Sequence, residues 1–361
     1  MYNLFIKLFD RNHKEILAEI YTFTSNVFTY TKTLNGIGNM QFSVPFTYLE
    51  ENKIEIISGQ CCELYEIVDN KEVLLWYGNV SNPCPGGVDI NVTCLGYLNL
   101  FMNRKFTDMA WDDKDETWKE TFYNKKYGQL ISYLIDRINS ISFTGITIGN
   151  IEEGTLTTDR VINWSDDLKE KIDEFIEDSG YYFNIDKDRK FNFYSTYGTV
   201  KDYYEINDYN IVGEYDATID QTQIYNRILG RVVYKDEDDV IQILQTVQED
   251  EESIKQYGLK EYVYTNSEIR LLSTLQEQCK DFLEMYKRPL TSFTLEVKID
   301  DIFNIYDIEP GDYINFNSNK YQYNGLIRVM EYEVDKINEK VKITIGNSIF
   351  REKALEIYRY K

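Results

Sequence analysis

The sequence predicts an α+β fold dominated by β structure, in which two β-barrel modules bracket smaller α/β domains. Of the 361 residues, 15% are aromatic, with 31 Tyr and 19 Phe against only 5 Pro, a balance that favours packed strands over disorder. Short segments in which apolar and polar residues alternate fill both ends of the chain, as in sheets with one buried face. Apolar residues at helical spacing lie mainly between those ends.

Residues 1–105 are predicted to form the N-terminal β-barrel module. Seven short strand-like segments, from LFIKLF to VDINVTCL, are separated by turn residues such as Asn35 to Gly38 and Pro83 to Gly87. This spacing of strands and turns is typical of meanders and barrels.

Residues 106–205 are predicted to form a small α/β domain. A first helix is indicated by Leu130, Leu134 and Ile138, which recur at helical spacing. We expect a second helix to begin at Ser165, whose hydroxyl would cap the free N–H groups, and to stop at Gly180. A hairpin formed by YYFNI and KFNFY should follow.

The remaining chain is divided into three parts. Residues 206–235 are predicted to be strands that return to the first barrel. Residues 236–290 are predicted to form a small strand-plus-helix domain, with a helix over Ser267 to Tyr286 that ends before Pro289. Residues 291–361 are predicted to be the C-terminal β-barrel module.

Charge and cysteine usage exclude several classes of function. The formal net charge is −22, so a surface of clustered cations that grips phosphates is not expected. The five cysteines, an odd number without a Cys-x-x-Cys pair, fit neither a disulfide framework nor a zinc site. Neither a secretion signal nor a run of about 18 apolar residues is visible, so we expect reduced, cytosolic assembly and no membrane segment.

Three stretches of the chain resemble the baseplate hub, or tail-associated, family of phage tails and related contractile devices. The first is the opening FDRNHKEILAEIYTFTSNVFTYTKTLNGIGNMQFSVP, with its Gly-x-Gly turn at Gly36 and Gly38. The second is EESIKQYG, which ends at Tyr257 and Gly258. The third is IEPGDYI, which contains the sequence Pro310-Gly311-Asp312 and is followed by an alternating strand. The order and spacing of these stretches carry the resemblance.

The resemblance implies a fold and a function. Family members are usually trimers with two tail-tube-like barrels per subunit, which form a pseudo-sixfold ring on the hexameric tail tube. It therefore implies a structural hub at the distal end of the tail, located at the virion tail tip and assembled in the host cytoplasm. The implied partners are further copies of the chain, the tail tube or distal tail protein, the tape measure protein, and tip, spike or fibre proteins. DNA would pass through the channel without stable binding.

We assign structural roles rather than chemical ones to the residues that stand out. Tight turns and strand entry are the expected roles of Gly36, Gly38, Tyr257, Gly258, Pro310, Gly311 and Asp312. The only histidine, His13, is expected to be a solvated turn residue, since no Gly-x-Ser-x-Gly elbow accompanies it. No catalytic residue, cofactor site or metal site is predicted, and the chain is not expected to be an enzyme.

Two alternatives share some of these features. Abundant acids, as in Asp112, Asp113, Asp115 and Glu116 or in Glu249 to Glu252, together with the aromatic run Tyr181 to Phe183, admit a carbohydrate-active or carbohydrate-binding module. Adjacent acids in a charge run are more often a solvated face, and the aromatic run is more often core. The hub of a tailocin or of a secretion-type injection device would obey the same physics as the hub of a virus.

Overall fold

The computed structural model describes residues 3–24, 27–113, 117–154, 157–213, 215–220, 222, 224–235, 240–266, 269–298, 305–321 and 323–346. These residues form two compact units. The first contains the chain up to Tyr215 together with Thr294–Ile345, and the second contains Asp216–Phe293. Within the described residues, 22 strands accompany five α-helices, which confirms an α+β fold dominated by β structure.

The elements of the first 105 residues are mostly strands, as predicted. They are β1 (Leu4–Phe9), β2 (Ile16–Ile20), β3 (Phe28–Thr33), β4 (Asn39–Pro45), α1 (Phe46–Asn52), β5 (Cys61–Val68), β6 (Lys71–Gly86) and β7 (Asp89–Leu95). Helix α1 was not predicted. It is only seven residues long and buries a single side chain, Leu49, so its sequence carries little helical periodicity.

The middle of the first unit alternates strands with two longer helices. The elements are β8 (Trp111–Asp112), β9 (Thr117–Lys126), α2 (Tyr127–Ile141), β10 (Thr147–Ile151), β11 (Thr157–Asn163), α3 (Leu168–Ser179), β12 (Tyr182–Ile185), β13 (Lys190–Tyr194) and β14 (Val200–Asn207). The two predicted helices and the predicted hairpin, β12 with β13, are confirmed.

The start of α3 differs from the prediction. Asp167, not Ser165, is the N-cap residue, and its carboxylate accepts hydrogen bonds from the backbone N–H groups of Lys169 and Glu170. Ser165 lies in the preceding turn with a φ of 71°, two residues before the position that caps the helix. Gly180 ends α3 in the left-handed conformation, as predicted.

The last elements span both units. They are β15 (Asp216–Asp220), β16 (Arg227–Lys235), β17 (Ile241–Glu249), α4 (Glu251–Tyr257), β18 (Glu261–Tyr264), α5 (Leu272–Tyr286), β19 (Leu290–Lys298), β20 (Tyr313–Ser318), β21 (Tyr323–Asp335) and β22 (Lys340–Gly346). Helix α5 begins later than predicted, at Leu272, and its N-cap residue Leu271 is exposed. The predicted start, Ser267, lies outside the described residues.

One large sheet organises the first unit. Its strands follow the order β19-β22-β21-β3-β4-β7-β6-β5-β1-β2, and β20 pairs with β21 and with β14. Strand β21, near the end of the chain, therefore lies directly beside β3, with Glu331 opposite Thr33 and Asp335 opposite Thr29. No closed barrel is seen in the described part of the chain, so the two barrel modules and the finer domain boundaries stay predictions.

Two small sheets accompany the helices of the first unit. One has the strand order β11-β9-β8 and the other the order β10-β13-β12. Helices α2 and α3 pack on each other, and Leu134, Ile138, Ile172 and Phe175 are among their buried residues. The spacing of these side chains gives each helix one apolar face, which explains why the sequence predicted both.

The second unit has its own core. Strands β17, β16 and β18 form a three-stranded sheet, and α5 contacts β16 and β17. The core contains Ile228, Val232, Leu275, Cys279 and Phe282 among others. None of the helices in the described residues is long and apolar enough to cross a bilayer.

Candidate functional site

A cleft in the first unit is lined by three of the seven turn residues that the sequence singled out. Its volume is about 330 Å³, and its walls include Gly36, Gly38, Trp76, Tyr197 and Pro310. The walls also come from residues 96–98, which follow β7, and from strand β12. Segments separated by up to about 270 residues in sequence therefore meet at one place, which we call the junction.

Gly36 and Gly38 form the tight part of the turn between β3 and β4. A Cβ atom on Gly38 would overlap the carbonyl oxygen of Thr31, and one on Gly36 would lie 2.7 Å from Cγ2 of Thr33. The carbonyl oxygen of Gly38 also accepts a hydrogen bond of 2.8 Å from the N–H of Gly96. Both positions thus lack space for a side chain, although neither adopts a positive φ.

Asn35, inside the same turn, ties it to the β12 hairpin. Its side-chain Nδ2 donates to the carbonyl oxygen of Tyr181 at 3.1 Å, and its Oδ1 accepts from the N–H of Phe183 at 2.8 Å. The amide group therefore bonds the backbone on both sides of Tyr182, as a neighbouring strand would.

Asp312 is the centre of a second set of contacts at the junction. Its Oδ1 accepts hydrogen bonds from the backbone N–H and the hydroxyl of Thr199, at 2.8 and 3.0 Å. Its Oδ2 accepts from the N–H of Glu309 at 3.0 Å and lies 3.1 Å from Nζ of Lys201. The carboxylate therefore joins the Pro-Gly-Asp turn to the start of β14.

The environment of Asp312 favours its charged form. Burial opposes ionisation, but the backbone N–H groups of Glu309 and Thr199, with the ammonium group of Lys201, lower the pKa of the carboxyl below its usual value. Hydrogen bonds donated to a carboxylate stabilise the anion more than the neutral acid. Asp312 is thus a buried, ionised and fully bonded structural anion.

Arg328 completes the junction from β21. Its Nε donates to the carbonyl oxygen of Gly311 at 3.0 Å, and its two terminal nitrogens donate to the hydroxyl of Tyr182 and the carbonyl oxygen of Tyr197. The guanidinium also lies 4.1 Å from the ring centroid of Tyr182. A planar, always charged group with five donors suits such convergent bonding.

Gly311 has the conformation that the turn prediction required. Its φ is 108°, which side chains rarely adopt, and a Cβ atom there would lie 2.7 Å from the Tyr197 ring. A second glycine, Gly198, has a φ of 88° and faces Gly311 so closely that a Cβ would overlap its carbonyl group. The two loops therefore touch backbone to backbone.

The predicted turn at Tyr257 and Gly258 belongs to the second unit. Gly258 ends α4 with a φ of 75°. The buried side chain of Asn226 donates to the carbonyl oxygen of Gly258 at 2.7 Å and accepts from the N–H of Lys260 at 2.7 Å. A buried amide therefore fixes the path of the chain on both sides of this turn.

The chemistry available at the junction is that of a structural joint. Glu309, which lines the cleft, is 2.6 Å from Nζ of Lys32, and Asp312 and Arg328 are occupied by the contacts above. In the part of the chain that the structure describes, no group of three or more His, Cys, Asp or Glu side chains is arranged to hold a metal ion.

Other candidate residues lie elsewhere. His13 is not a solvated turn residue, because its ring packs edge-on against Phe9 at 4.4 Å and its Nε2 lies 3.0 Å from Glu63. Glu249 pairs with Arg227 at 2.7 Å, while Asp250 caps α4. Asp115 and Glu116 of the other acidic run lie outside the described residues.

The bonding roles of Asn35, Thr199, Asn226 and Arg328 were not predicted, although Asn35 was placed in a turn. Arg328 carried one usable signal, because a single charge inside the apolar strand segment LIRVM predicts a buried cation with fixed partners. The other three are polar residues in turns or loops next to strands, where their type is common. Only the fold reveals their partners.

Solved structures of three tail proteins, two of them from prophages, share this fold. The prophage tail protein gp18 from Listeria monocytogenes EGD-e aligns with a TM-score of 0.62 at 14% identity, covering 99% of this chain and 100% of the other. The 43 kDa tail protein of prophage MuSo2 from Shewanella oneidensis gives 0.60 at 13% identity, covering 97% and 98%. The tail protein from Neisseria meningitidis MC58 gives 0.60 at 12% identity, also covering 97% and 98%.

At the level of sequence the chain stands further apart. No protein-family profile and no curated protein sequence matches it. The likeness in three dimensions nevertheless extends over nearly the full length of each compared chain, so it concerns the order of all the elements rather than one domain. This chain therefore has the fold of phage tail proteins, in agreement with the sequence resemblance to the baseplate hub and tail-associated family.

Proposed function

We propose that the chain is a structural hub subunit at the distal end of a phage-type tail. Three copies would form a pseudo-sixfold ring that joins the tail tube, or a distal tail protein, to tip, spike or fibre proteins. The ring would leave a channel for the tape measure protein and DNA. The observation that carries the proposal is the near full-length likeness in fold to three solved tail proteins.

The junction supports a load-transmitting role. Strands β3 and β21, from opposite ends of the chain, pair side by side, and Asn35, Asp312 and Arg328 lock the adjoining loops by hydrogen bonds between groups with little access to water. Buried bonds of this kind resist local opening, because breaking one leaves an unsatisfied group in the interior. A subunit between a tube and its tip needs such rigidity.

The net charge of the chain supports the proposal that DNA passes through the channel of the ring. With a net charge of −22, the surface repels a polyanion, and DNA would pass without stable binding. The negative charges of neighbouring copies also repel each other. The contacts within a ring would therefore have to come from strand edges and apolar side chains that one copy covers on the next. We further propose that the chain is not itself an enzyme and that it acts at the tail tip after assembly in the host cytoplasm.

Light scattering coupled to size-exclusion chromatography tests the assembly. One chain has a mass of 42.8 kDa, so three copies have three times that mass, about 128 kDa. We expect this species from the chain alone, or on addition of the purified tail tube protein. A stable dimer, at twice 42.8 kDa or about 86 kDa, would contradict the proposed ring.

A further inference from the structure

Three of the four tryptophans of the chain lie side by side at one end of the β11-β9-β8 sheet. Trp111 and Trp118 are directly opposite each other in β8 and β9, with ring centroids 5.4 Å apart and planes at 67°. Trp164, which follows β11, donates its backbone N–H to the carbonyl oxygen of Trp118 at 2.8 Å. We call Trp111, Trp118 and Trp164 the Trp row.

The three indoles are unusually exposed. Trp111, Trp118 and Trp164 are 47%, 49% and 53% accessible, whereas Trp76 in the large sheet is 2% accessible. Tryptophan is the largest apolar side chain, and most of its kind are well buried. Half-exposed indoles lose part of the stabilisation that burying their apolar surface would give. Clusters of such side chains are typical of surfaces where a ligand or partner binds.

Polar groups of both signs lie near the row. Glu120 is on the same face of β9 as Trp118, two residues further along, and accepts a hydrogen bond from Tyr133 of α2. Asp108, three residues before Trp111, is 3.3 Å from the guanidinium of Arg137, also on α2. The Nε of Arg137 is shielded from water and has no hydrogen-bond partner among the described residues.

The charge of the surroundings limits the class of ligand. A net charge of −22 for the chain and the nearby carboxylates Asp108 and Glu120 disfavour nucleic acid and anionic lipid surfaces. A protein-binding hot spot would normally surround its tryptophans with apolar contacts that exclude water, but here charged groups are the neighbours. An uncharged ligand avoids the charge repulsion, and one with flat apolar faces and many hydroxyl groups can contact both the indoles and the charged groups.

We propose that the Trp row binds a neutral glycan chain. The C–H faces of consecutive sugar rings would stack on the indoles, and their hydroxyl groups would bond to Asp108, Arg137 and Glu120. Adjacent strands are roughly 4.8 Å apart, so a row across three strands offers a platform about 10 Å long, enough for two or three sugar rings. This role adds surface attachment to the structural role and does not depend on it.

Tryptophan fluorescence tests the proposal directly, because the row supplies three of the four indoles. The purified full chain is titrated with three soluble oligosaccharides that differ in linkage and substitution: chitotetraose, cellotetraose and maltotetraose. We expect a saturable change in emission with at least one of them. Trp111→Ala and Trp164→Ala, at the two ends of the row, should each weaken that binding at least about fivefold, as loss of one stacking partner does elsewhere.

A matched control separates stacking from general effects. Tyr209 is 94% exposed in the same unit and far from the row in sequence, so Tyr209→Ala should bind the oligosaccharide as the unaltered chain does. Circular dichroism of each variant establishes that it is folded, and calorimetry replaces fluorescence where an indole has been removed. Trp111→Phe, which keeps an aromatic ring, should retain part of the binding.

Two results would overturn the proposal. One is the lack of saturable binding with all three oligosaccharides. The other is unchanged oligosaccharide binding by the folded variants Trp111→Ala and Trp164→Ala. If those variants bind the oligosaccharide normally but fail to assemble with another tail protein, the Trp row is a protein interface instead. Neither result bears on trimer formation, which light scattering measures separately.

Discussion

Replacement of Asp312 by asparagine tests whether the junction is held together by a buried anion. The variant keeps the shape of the side chain but removes its charge and turns one acceptor oxygen into a donor. The new NH₂ group must face the N–H of either Thr199 or Glu309. That backbone N–H then meets another hydrogen instead of an acceptor oxygen. The ion pair with Lys201, at 3.1 Å, is lost as well.

The size of the effect follows from these contacts. Asp312 is 4% exposed, so water cannot replace the lost partner. A hydrogen bond to a charged group contributes roughly 1.5–3 kcal/mol, and leaving a buried group unsatisfied adds a similar penalty. We expect the free energy of unfolding of the first unit to fall by about 3 kcal/mol at pH 7. For a unit of this size the urea midpoint should fall by about 1 M.

The assay can read the first unit alone. All four tryptophans lie within it, and Trp76 donates its indole N–H to the carbonyl oxygen of Thr31 at the wall of the junction cleft. Urea unfolding followed by tryptophan fluorescence therefore reports on this unit. Asp202→Asn is the matched control, because Asp202 is exposed in the neighbouring strand β14, and it should change stability by less than about 0.5 kcal/mol.

The pH dependence gives an independent check. The pKa of Asp312 is lowered by folding, so its contribution to stability is fully present above the unfolded pKa of about 3.9. It is lost as the pH falls through the lower, folded value. The difference between the unaltered chain and Asp312→Asn should therefore shrink below about pH 4. Equal stability at pH 7, or a difference that does not change with pH, would refute the reasoning.

Two further substitutions test the turns. Gly311→Ala should destabilise the first unit by about 3 kcal/mol in the same fluorescence assay, since alanine disfavours the φ of 108° and its Cβ would meet the Tyr197 ring. The control Gly87→Ala, at a φ of 83° with open space around it, should lower the stability by only about 1 kcal/mol. Equal losses of stability in the two variants would contradict the steric argument. Asn226→Ala should lower the stability of the second unit by about 3 kcal/mol, because it leaves the carbonyl oxygen of Gly258 and the N–H of Lys260 without their buried partner. Far-UV circular dichroism during thermal unfolding measures this stability, with Gln245→Ala at an exposed position as the control. If Asn226→Ala were as stable as the control, the Asn226 amide would not organise the turn.

Local patterns in the sequence predicted the elements that are held by local interactions. Helices α2 and α3 and the β12–β13 hairpin were found because their apolar spacing and their turn residues are read within a few positions. The short helices α1 and α4 were missed, since seven residues give less than two full cycles of the pattern. The cap of α3 was placed at Ser165 instead of Asp167 because both residue types cap helices and only the backbone path distinguishes them.

The junction illustrates where sequence reasoning stops. The sequence predicts a turn at Gly311 and Asp312, but it contains no sign that the Asp312 carboxylate binds Thr199, which is 113 residues away. Asn35 and Phe183 are 148 residues apart. Because residues of these types occur in many turns, their separation along the chain contains no information about which of them will meet.

The β-dominated class, the main helices and the resemblance to tail proteins could be predicted from the sequence, because each depends on periodicity or on motif order along the chain. Three features emerge only in the folded chain: β21 lies beside β3, Asp312 and Arg328 are buried at one junction, and three half-exposed tryptophans lie at one end of a small sheet. These features depend on strand order, and strand order is set by the packing of distant surfaces rather than by any local stretch of residues.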